Sequence, residues 1–310
     1  MSQSAMRAII QHEANLPNLP SASGIEVVGE VAYIVGDDSP YLYQLNAASL
    51  AAGERTTLFE TAHFSTGRIP KHLKLDLECL TALTTATGEA GLLLLGSGAT
   101  TAREQGFWVT LPNGPGSAAT VYPVALSGLY AALRQHLPAG ITLNLEAVAA
   151  TPTELIVFQR TVGTAAGNLA FRLPLHQTLQ YLQHQTPQVP AIRTQFYQLP
   201  TIEGKPAGFS GATWFADQLF ITASVEDTQD AVLDGAVLGS LVGIIDLSKT
   251  SDRAVPVALA RLELPTGQAY RGKVESIAVR RQLSARSYEL LLVTDDDQGG
   301  STAVTAILAL

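Results

Sequence analysis

The chain has 310 residues, 46% of them hydrophobic, with 19 Lys and Arg against 27 Asp and Glu and a formal net charge of −8. That length buries a large core and suits either one large all-β domain or two smaller domains. The acidic balance repels a phosphate backbone and no Lys/Arg cluster offsets it, which excludes nucleic acid as a partner.

Cys79 is the only cysteine, so an intrachain disulfide and a thiolate metal cluster are excluded, and its apolar neighbours assign it to the core. The opening residues lack the apolar region of a secretory signal, and no apolar run approaches the ~20 residues of a membrane span. The expectation is a cytoplasmic protein without a membrane partner.

In chain order, the first strand-like segment is Ala5 to Ile10, which has no partner of its own. One pattern then occurs five times: a short strand opening with an acidic or small residue, a turn, a strongly apolar strand, a polar loop and one or two further strands. The copies span about 22–62, 73–126, 142–200, 207–265 and 272–310. The last stops one strand short, and the segment 5–12 supplies the missing strand. The predicted fold is a single all-β domain over 1–310, a five-bladed β-propeller closed by its N-terminal strand, with six blades as the alternative count. Such closure removes the exposed edges of an open sheet. A sandwich is the competing fold, but it predicts cleaner alternation than Leu92 to Leu95 or Leu290 to Val293 show. Two insertions, Leu126 to Leu137 and Leu175 to Gln185, carry Leu and Tyr at helical spacing and predict short helices on the flank.

Two sets of loops in such a fold converge at one mouth of the central channel. They bring together Lys71, Lys74, Asp76, Asn144, Lys205, Ser210 and Lys273 with Asp37, Asp38, Arg103, Arg160, Glu226, Asp227, Asp295, Asp296 and Asp297. Aligning the copies on Glu26, Glu78, Glu146, Thr213 and Glu275 predicts a ring of four carboxylates around the axis. Crowded carboxylates raise one another's pKa unless cations stand among them. The ring then holds a metal ion or, with Lys74, Arg103 and Arg160, an anionic substrate; alternatively each Glu accepts N–H bonds from the next blade and staples the ring. The loop DDDQGGS places Asp295 and Asp297 before Gly299 like the start of a calcium loop, without the bidentate Glu that would complete one. A solvated hairpin tip is the other reading. The acidic loop from Ser224 to Ser240, with Glu226, Asp227, Asp230 and Asp234, is long enough for a lid. His63 and His72 are candidate acid–base groups or simply solvated, and no phosphate-loop, HExxH or GxSxG motif is present.

The strings KLDLECLT, FSGATWF, KVESIAV and LLLVTDDDQGGS resemble segments of bacterial phytase-like or esterase-like β-propellers. The resemblance implies an acidic channel mouth and calcium-assisted phosphoester hydrolysis, with Glu78, Glu226, Glu275, Asp295 and Asp297 as ligands. It departs from the family at Thr213 and in the blade count. The functional expectation is a Ca2+-dependent hydrolase of a small anionic ester, either a phosphoester or a lactone. The expected metal ligands are Glu26, Glu78, Glu146, Glu226, Glu275, Asp295 and Asp297, and the expected ligand-binding residues are Lys74, Asp76, Arg103, Arg160, Asp227 and Asp296. The alternative is a non-catalytic propeller that binds a sugar, peptide or protein, with Tyr41 and Trp214 adding contact area.

Overall fold

A computed structural model describes residues 6–112, 118–161, 167–228 and 235–310. The chain opens with β1 (Arg7–Asn15), longer at its far end than the predicted segment; Ala5 lies outside the described residues. Then follow β2 (Ala22–Val28), β3 (Val31–Gly36), β4 (Tyr41–Asn46) and β5 (Ala52–Thr57), an antiparallel four-stranded group in sequence order. The second group is β6 (Leu77–Thr84), β7 (Ala90–Gly96), β8 (Gln105–Thr110) and β9 (Thr120–Ala125), and α1 (Ser127–Arg134) comes after it. The third comprises β10 (Leu145–Ala150), β11 (Glu154–Gln159), β12 (Leu169–Pro174), the helix α2 (Leu175–Leu182) and β13 (Arg193–Gln198).

A small hairpin of β14 (Thr201–Ile202) and β15 (Lys205–Pro206) leads to β16 (Gly208–Phe215), β17 (Gln218–Glu226) and β18 (Val237–Ile245). Next, β19 (Val255–Pro256) runs parallel to β13, and β20 (Leu259–Glu263) pairs with β18. The chain ends with β21 (Lys273–Ser284), β22 (Ser287–Asp295) and β23 (Ser301–Ala309). β1 stands beside β23, antiparallel from Arg7↔Ala309 to Asn15↔Thr302, and also touches β20 in parallel at Ala8↔Leu262. The fourth and fifth groups are thereby joined in one eight-stranded sheet. Both helices lie where their spacing predicts, and among the described residues no helix is long and apolar enough to cross a membrane.

Why the apolar strands do not alternate is visible in the core. Leu92 and Leu94 of β7 pack into the cluster shared with the first group, while Leu93 and Leu95 pack into the one shared with the third. Ile156 and Phe158 of β11 turn toward the fourth group and Leu155 and Val157 toward the second. Leu290 and Leu292 of β22 face the fourth group, and Leu291 and Val293 face the first. Both faces of each sheet are thus buried, the arrangement in which strands read as continuous apolar runs. Each such Leu or Phe removed from water contributes roughly 1.5–3 kcal/mol. Helix α1 adds Leu129, Tyr130 and Leu133 to the cluster between the second and third groups, and the Tyr130 hydroxyl donates to Gly96 O at 2.7 Å.

The first strands β2, β6, β10, β16 and β21 lie side by side in that order, and β21 meets β2 again. Each carries one extra residue at the same place, between Ala22 and Gly24, Leu77 and Cys79, Leu145 and Ala147, Phe209 and Gly211, and Val274 and Ser276. These are β-bulges, which bend a strand and re-aim its side chains. The residue after each bulge is small because the neighbouring first strand is close. A Cβ on Gly211 would stand 2.6 Å from Ser276 Cα and 2.6 Å from Thr222 Oγ1. Gly211→Ala is therefore expected to destabilise the protein by about 1–3 kcal/mol through overpacking, read as a lower urea midpoint with an unchanged slope.

Candidate functional site

The bulges sort the residues of the first strands into levels. Two residues before each bulged position stand Ser21, Asp76, Asn144, Gly208 and Lys273. The bulged residues are Ser23, Glu78, Glu146, Ser210 and Glu275, and three residues further stand Glu26, Thr81, Ala149, Thr213 and Ala278. The alignment expected from sequence is thus corrected in the first and fourth groups. Glu26 and Thr213 belong one level below Glu78, Glu146 and Glu275, and the mouth-level positions of those groups hold Ser23 and Ser210. Matching Glu with Glu was misleading because register is a property of backbone pairing.

Glu78, Glu146 and Glu275 line a cavity of about 480 Å³ together with Lys74, Asp76, Arg103, Arg160, Glu226, Asp295 and Asp297. Ten of the thirteen predicted site residues are brought together there. Glu26, Asp227 and Asp296 are not among its lining residues. Asp227 is exposed and pairs with Lys205 at 2.8 Å. Asp296 turns outward, its Oδ1 accepting the N–H groups of Gln298 and Gly300 at 2.8 and 2.7 Å. In the DDDQGGS loop, then, the two outer aspartates face the cavity and the middle one ties the turn. Asp230 and Asp234 of the expected lid lie outside the described residues. His63 and His72 are exposed and do not line the cavity, nor do Tyr41 and Trp214; Trp214 packs against the cluster between the third and fourth groups. Sequence reasoning missed Arg68, Ser21, Ser23 and Thr66 as lining residues. Arg68 sits in an irregular segment between β5 and β6, whose polar composition carries no periodicity to place it.

The charges are organised in two networks. In the first, Lys74 Nζ donates to Asp37 and lies 2.8 Å from Asp76 Oδ1. Arg103 holds the other Asp76 oxygen at 2.6 Å. Asp38 accepts from Arg68 Nε at 2.5 Å and from Ser21 Oγ at 3.2 Å. In the second network, Arg160 donates to Glu226, to Glu146 at 3.4 Å and lies 3.8 Å from Glu275. Lys273 reaches Asp297 at 2.9 Å, Glu275 at 3.2 Å and Glu226 at 3.7 Å. Asn144 Nδ2 donates to Glu146 at 2.6 Å.

Burial pushes several of these carboxyls upward. It raises Glu146 to about 7, because Arg160 only partly offsets burial and Glu275 adds to it. Burial likewise lifts Asp37 to about 6 against the pull of Lys74, and Asp295 to about 7 with help from Glu275 and Asp37. Glu78 is driven well above the usual carboxylate range by burial and by the charges of Asp76, Glu146 and Asp37. Two others go the opposite way. Burial opposes ionisation of Asp76 and Glu226, but Lys74 and Arg103 outweigh it at the first, and Arg160 and Lys273 at the second. Neither Glu78 nor Asp295 forms an ion pair among the described residues.

Below the mouth, Glu26 joins three groups. It accepts from Val27 N at 3.1 Å, from Ala82 N at 3.4 Å and from Thr213 Oγ1 at 3.2 Å. This is the stapling role considered for the glutamates, realised at Glu26. Burial raises its pKa to about 7 from 4.5. The folded state therefore holds a proton that the unfolded chain has released between about pH 4.5 and 7, so this group's contribution to stability falls as pH rises through that window. Glu26→Gln, which keeps the shape without the titration, is expected to remove a pH-dependent loss of about 3 kcal/mol. Denaturant midpoints at pH 5 and pH 8 read it, and a parallel shift of parent and variant would contradict it. Arg160→Met should be costly at neutral pH, by about 3–5 kcal/mol, because Glu226 and Glu146 lose their buried cation. The same midpoints report that loss, and recovery toward pH 4.5 marks it as electrostatic.

A glutaminyl cyclase of Myxococcus xanthus has a similar structure, with a TM-score of 0.50 at 11% identity over 99% of each chain. An arabinanase of Bacillus subtilis gives a TM-score of 0.46 at 9% identity, covering 94% of this chain and 95% of that one. An α-L-arabinanase of Cellvibrio cellulosa gives 0.42 at 11% identity, covering 94% and 91%. The first of these likenesses carries the fold and only the fold: the chain is all-β and propeller-like. No curated protein matches the chain in sequence. The motifs that resemble phytase-like propellers gain no support from these comparisons. A family profile described as a family of unknown function, DUF6929, matches residues 18–308, and the chain belongs to that family.

Proposed function

We propose that the cavity is the acid–base site of a hydrolase for a small, strongly polar, uncharged substrate, an ester or acetal such as a lactone or a glycoside. In this reading the five four-stranded groups are the blades of a five-bladed propeller, β1 completes the fifth, and the cavity is the mouth of its channel. The observation that carries the proposal is the pair Glu78 and Asp295. Both are carboxyls without a cationic partner among the described residues, they face one cavity, and burial raises both.

Hydrolysis needs a proton delivered to the leaving oxygen and another taken from water. Carboxyls whose surroundings set their proton affinities apart are suited to those two roles. Glu78, raised by burial and by the charges of Asp76, Glu146 and Asp37, takes the role of the acid. Asp295, at about 7, is partly ionised there and acts as the base. Asp37 raises both through its charge. The fixed cations Lys74, Arg103, Arg160 and Lys273 hold the remaining carboxylates in place and orient the polar surface, so little reorganisation accompanies the reaction.

The lining also favours an uncharged substrate over the anionic ester expected from sequence. Nine carboxyl residues and six Lys/Arg residues line the cavity. Arg68, Lys74, Arg103, Arg160 and Lys273 are each already engaged with a carboxylate. An incoming anion would have to displace one of those partners, whereas hydroxyls can bond to the carboxylates as they stand.

The test is a screen of lactones, nitrophenyl glycosides and phosphate esters, followed by Glu78→Gln and Asp295→Asn on whichever class reacts. Each variant should lose about 10²–10⁴-fold in kcat, the usual worth of a positioned acid or base, with its melting temperature retained. No turnover on any class, or full rates in both variants, would remove the proposal.

A further inference from the structure

The calcium ion implied by the phytase-like resemblance calls for hard oxygen ligands converging on one centre. Among the described residues, Asp37, Asp76 and Glu78 come nearest to that, with one oxygen of each within 4.8 Å of the others. That centre is already supplied with a cation. Lys74 reaches in from the segment before β6 and is only 11% exposed; its ammonium donates to Asp37 and stands 2.8 Å from Asp76 Oδ1. The other Asp76 oxygen is taken by Arg103 at 2.6 Å. We infer that Lys74 occupies the place a divalent ion would take among these three carboxyls, acting as a resident cation and positioning residue of the mouth.

Charge explains what the exchange accomplishes. Three carboxylates facing Lys74 and Arg103 carry one negative charge in excess, and Glu78 is the member without an ion pair among the described residues. The excess is relieved by a proton, which Glu78 keeps, as burial and the charge of Asp76 both favour. A divalent ion in place of the ammonium would balance all three carboxylates in their ionised form. Lysine therefore turns a would-be ligand into an acid. The same burial that penalises the ammonium is outweighed by Asp37 and Asp76, so Lys74 stays protonated far above the working pH range. This inference rests on the acid–base reading of the mouth, but it can be examined without any assay of turnover.

The experiment is a thermal-unfolding titration of the full chain with millimolar calcium chloride, with excess chelator as the reverse step. Removing the ammonium should open a hard-cation site, and binding to the native state alone raises the melting temperature. Lys74→Ala is expected to gain several degrees with calcium and to lose them with chelator. The parent protein and Lys74→Arg should not respond, and Lys74→Ala combined with Glu78→Gln should respond less than Lys74→Ala. If Lys74→Ala does not fold in chelator, recovery of its native near-ultraviolet dichroism on adding calcium supports the inference, and no recovery overturns it. A calcium-dependent rise in the parent protein, or none in a folded Lys74→Ala, also overturns it. A responsive Lys74→Ala in a protein that hydrolyses nothing would sink the acid–base reading while leaving the lysine's role standing.

Discussion

One extra residue in each of β2, β6, β10, β16 and β21 decides where the charges of this protein meet. A regular strand sends alternate side chains to opposite faces, and both faces here are filled with Leu, Ile, Val and Phe. A carboxyl on either face needs hydrogen-bond donors of its own, as Glu26 has. The bulge interrupts that alternation and turns Glu78, Glu146 and Glu275 toward the cavity, while small residues such as Gly24 and Gly211 let the neighbouring first strands approach. Hydroxyl groups then stitch the contacts between groups. Ser23 Oγ donates to Leu77 O at 2.5 Å, and Thr81 Oγ1 accepts from Ala150 N at 3.0 Å.

Much of the fold was legible for the same reason that the sheets are buried. Runs such as GLLLLG and ELIVFQ are too short for helices and too apolar for strands with a wet face, and each became a second strand with both faces packed. The helices α1 and α2 were legible from their spacing. The candidate site could be read as a set of residue types on converging loops, and Asp295, Asp297, Lys74 and Arg103 do line one cavity. What could not be read was register. Glu26 looks like Glu78 in sequence, yet its carboxylate accepts backbone N–H groups below the mouth because its strand is bulged at Ser23. Arg68 was invisible because an irregular loop has no period, whereas Asp227 and Asp296 were expected at the site and turn away from it because a hairpin tip can send adjacent carboxylates in opposite directions.

The ion pairs of the mouth are a poor bargain for stability alone. Desolvating Arg160, Lys273, Glu226 and Glu275 costs several kcal/mol per ion before any attraction returns it, and apolar residues of similar volume often serve a core as well or better. Such a concentration of buried charge is more readily understood as a preorganised polar environment, set in place when the chain folds and unchanged by whatever enters it. The distribution of protons follows. Asp76 and Glu226, each beside two cations, are held ionised, whereas burial raises Glu78 and Asp295, which form no ion pair among the described residues.

The position of β1 has a consequence for how the molecule is assembled. Its pairings run to β23, some 300 positions away, and to β20, so its place in the sheet is defined only after β23 has emerged from the ribosome. Long-range pairing of this kind carries a large loop-closure entropy and is slow. Until it forms, β23 and β20 present unsatisfied backbone groups, the edges most open to a second chain. The interval between synthesis of β23 and docking of β1 is therefore one in which these strands are exposed to aggregation.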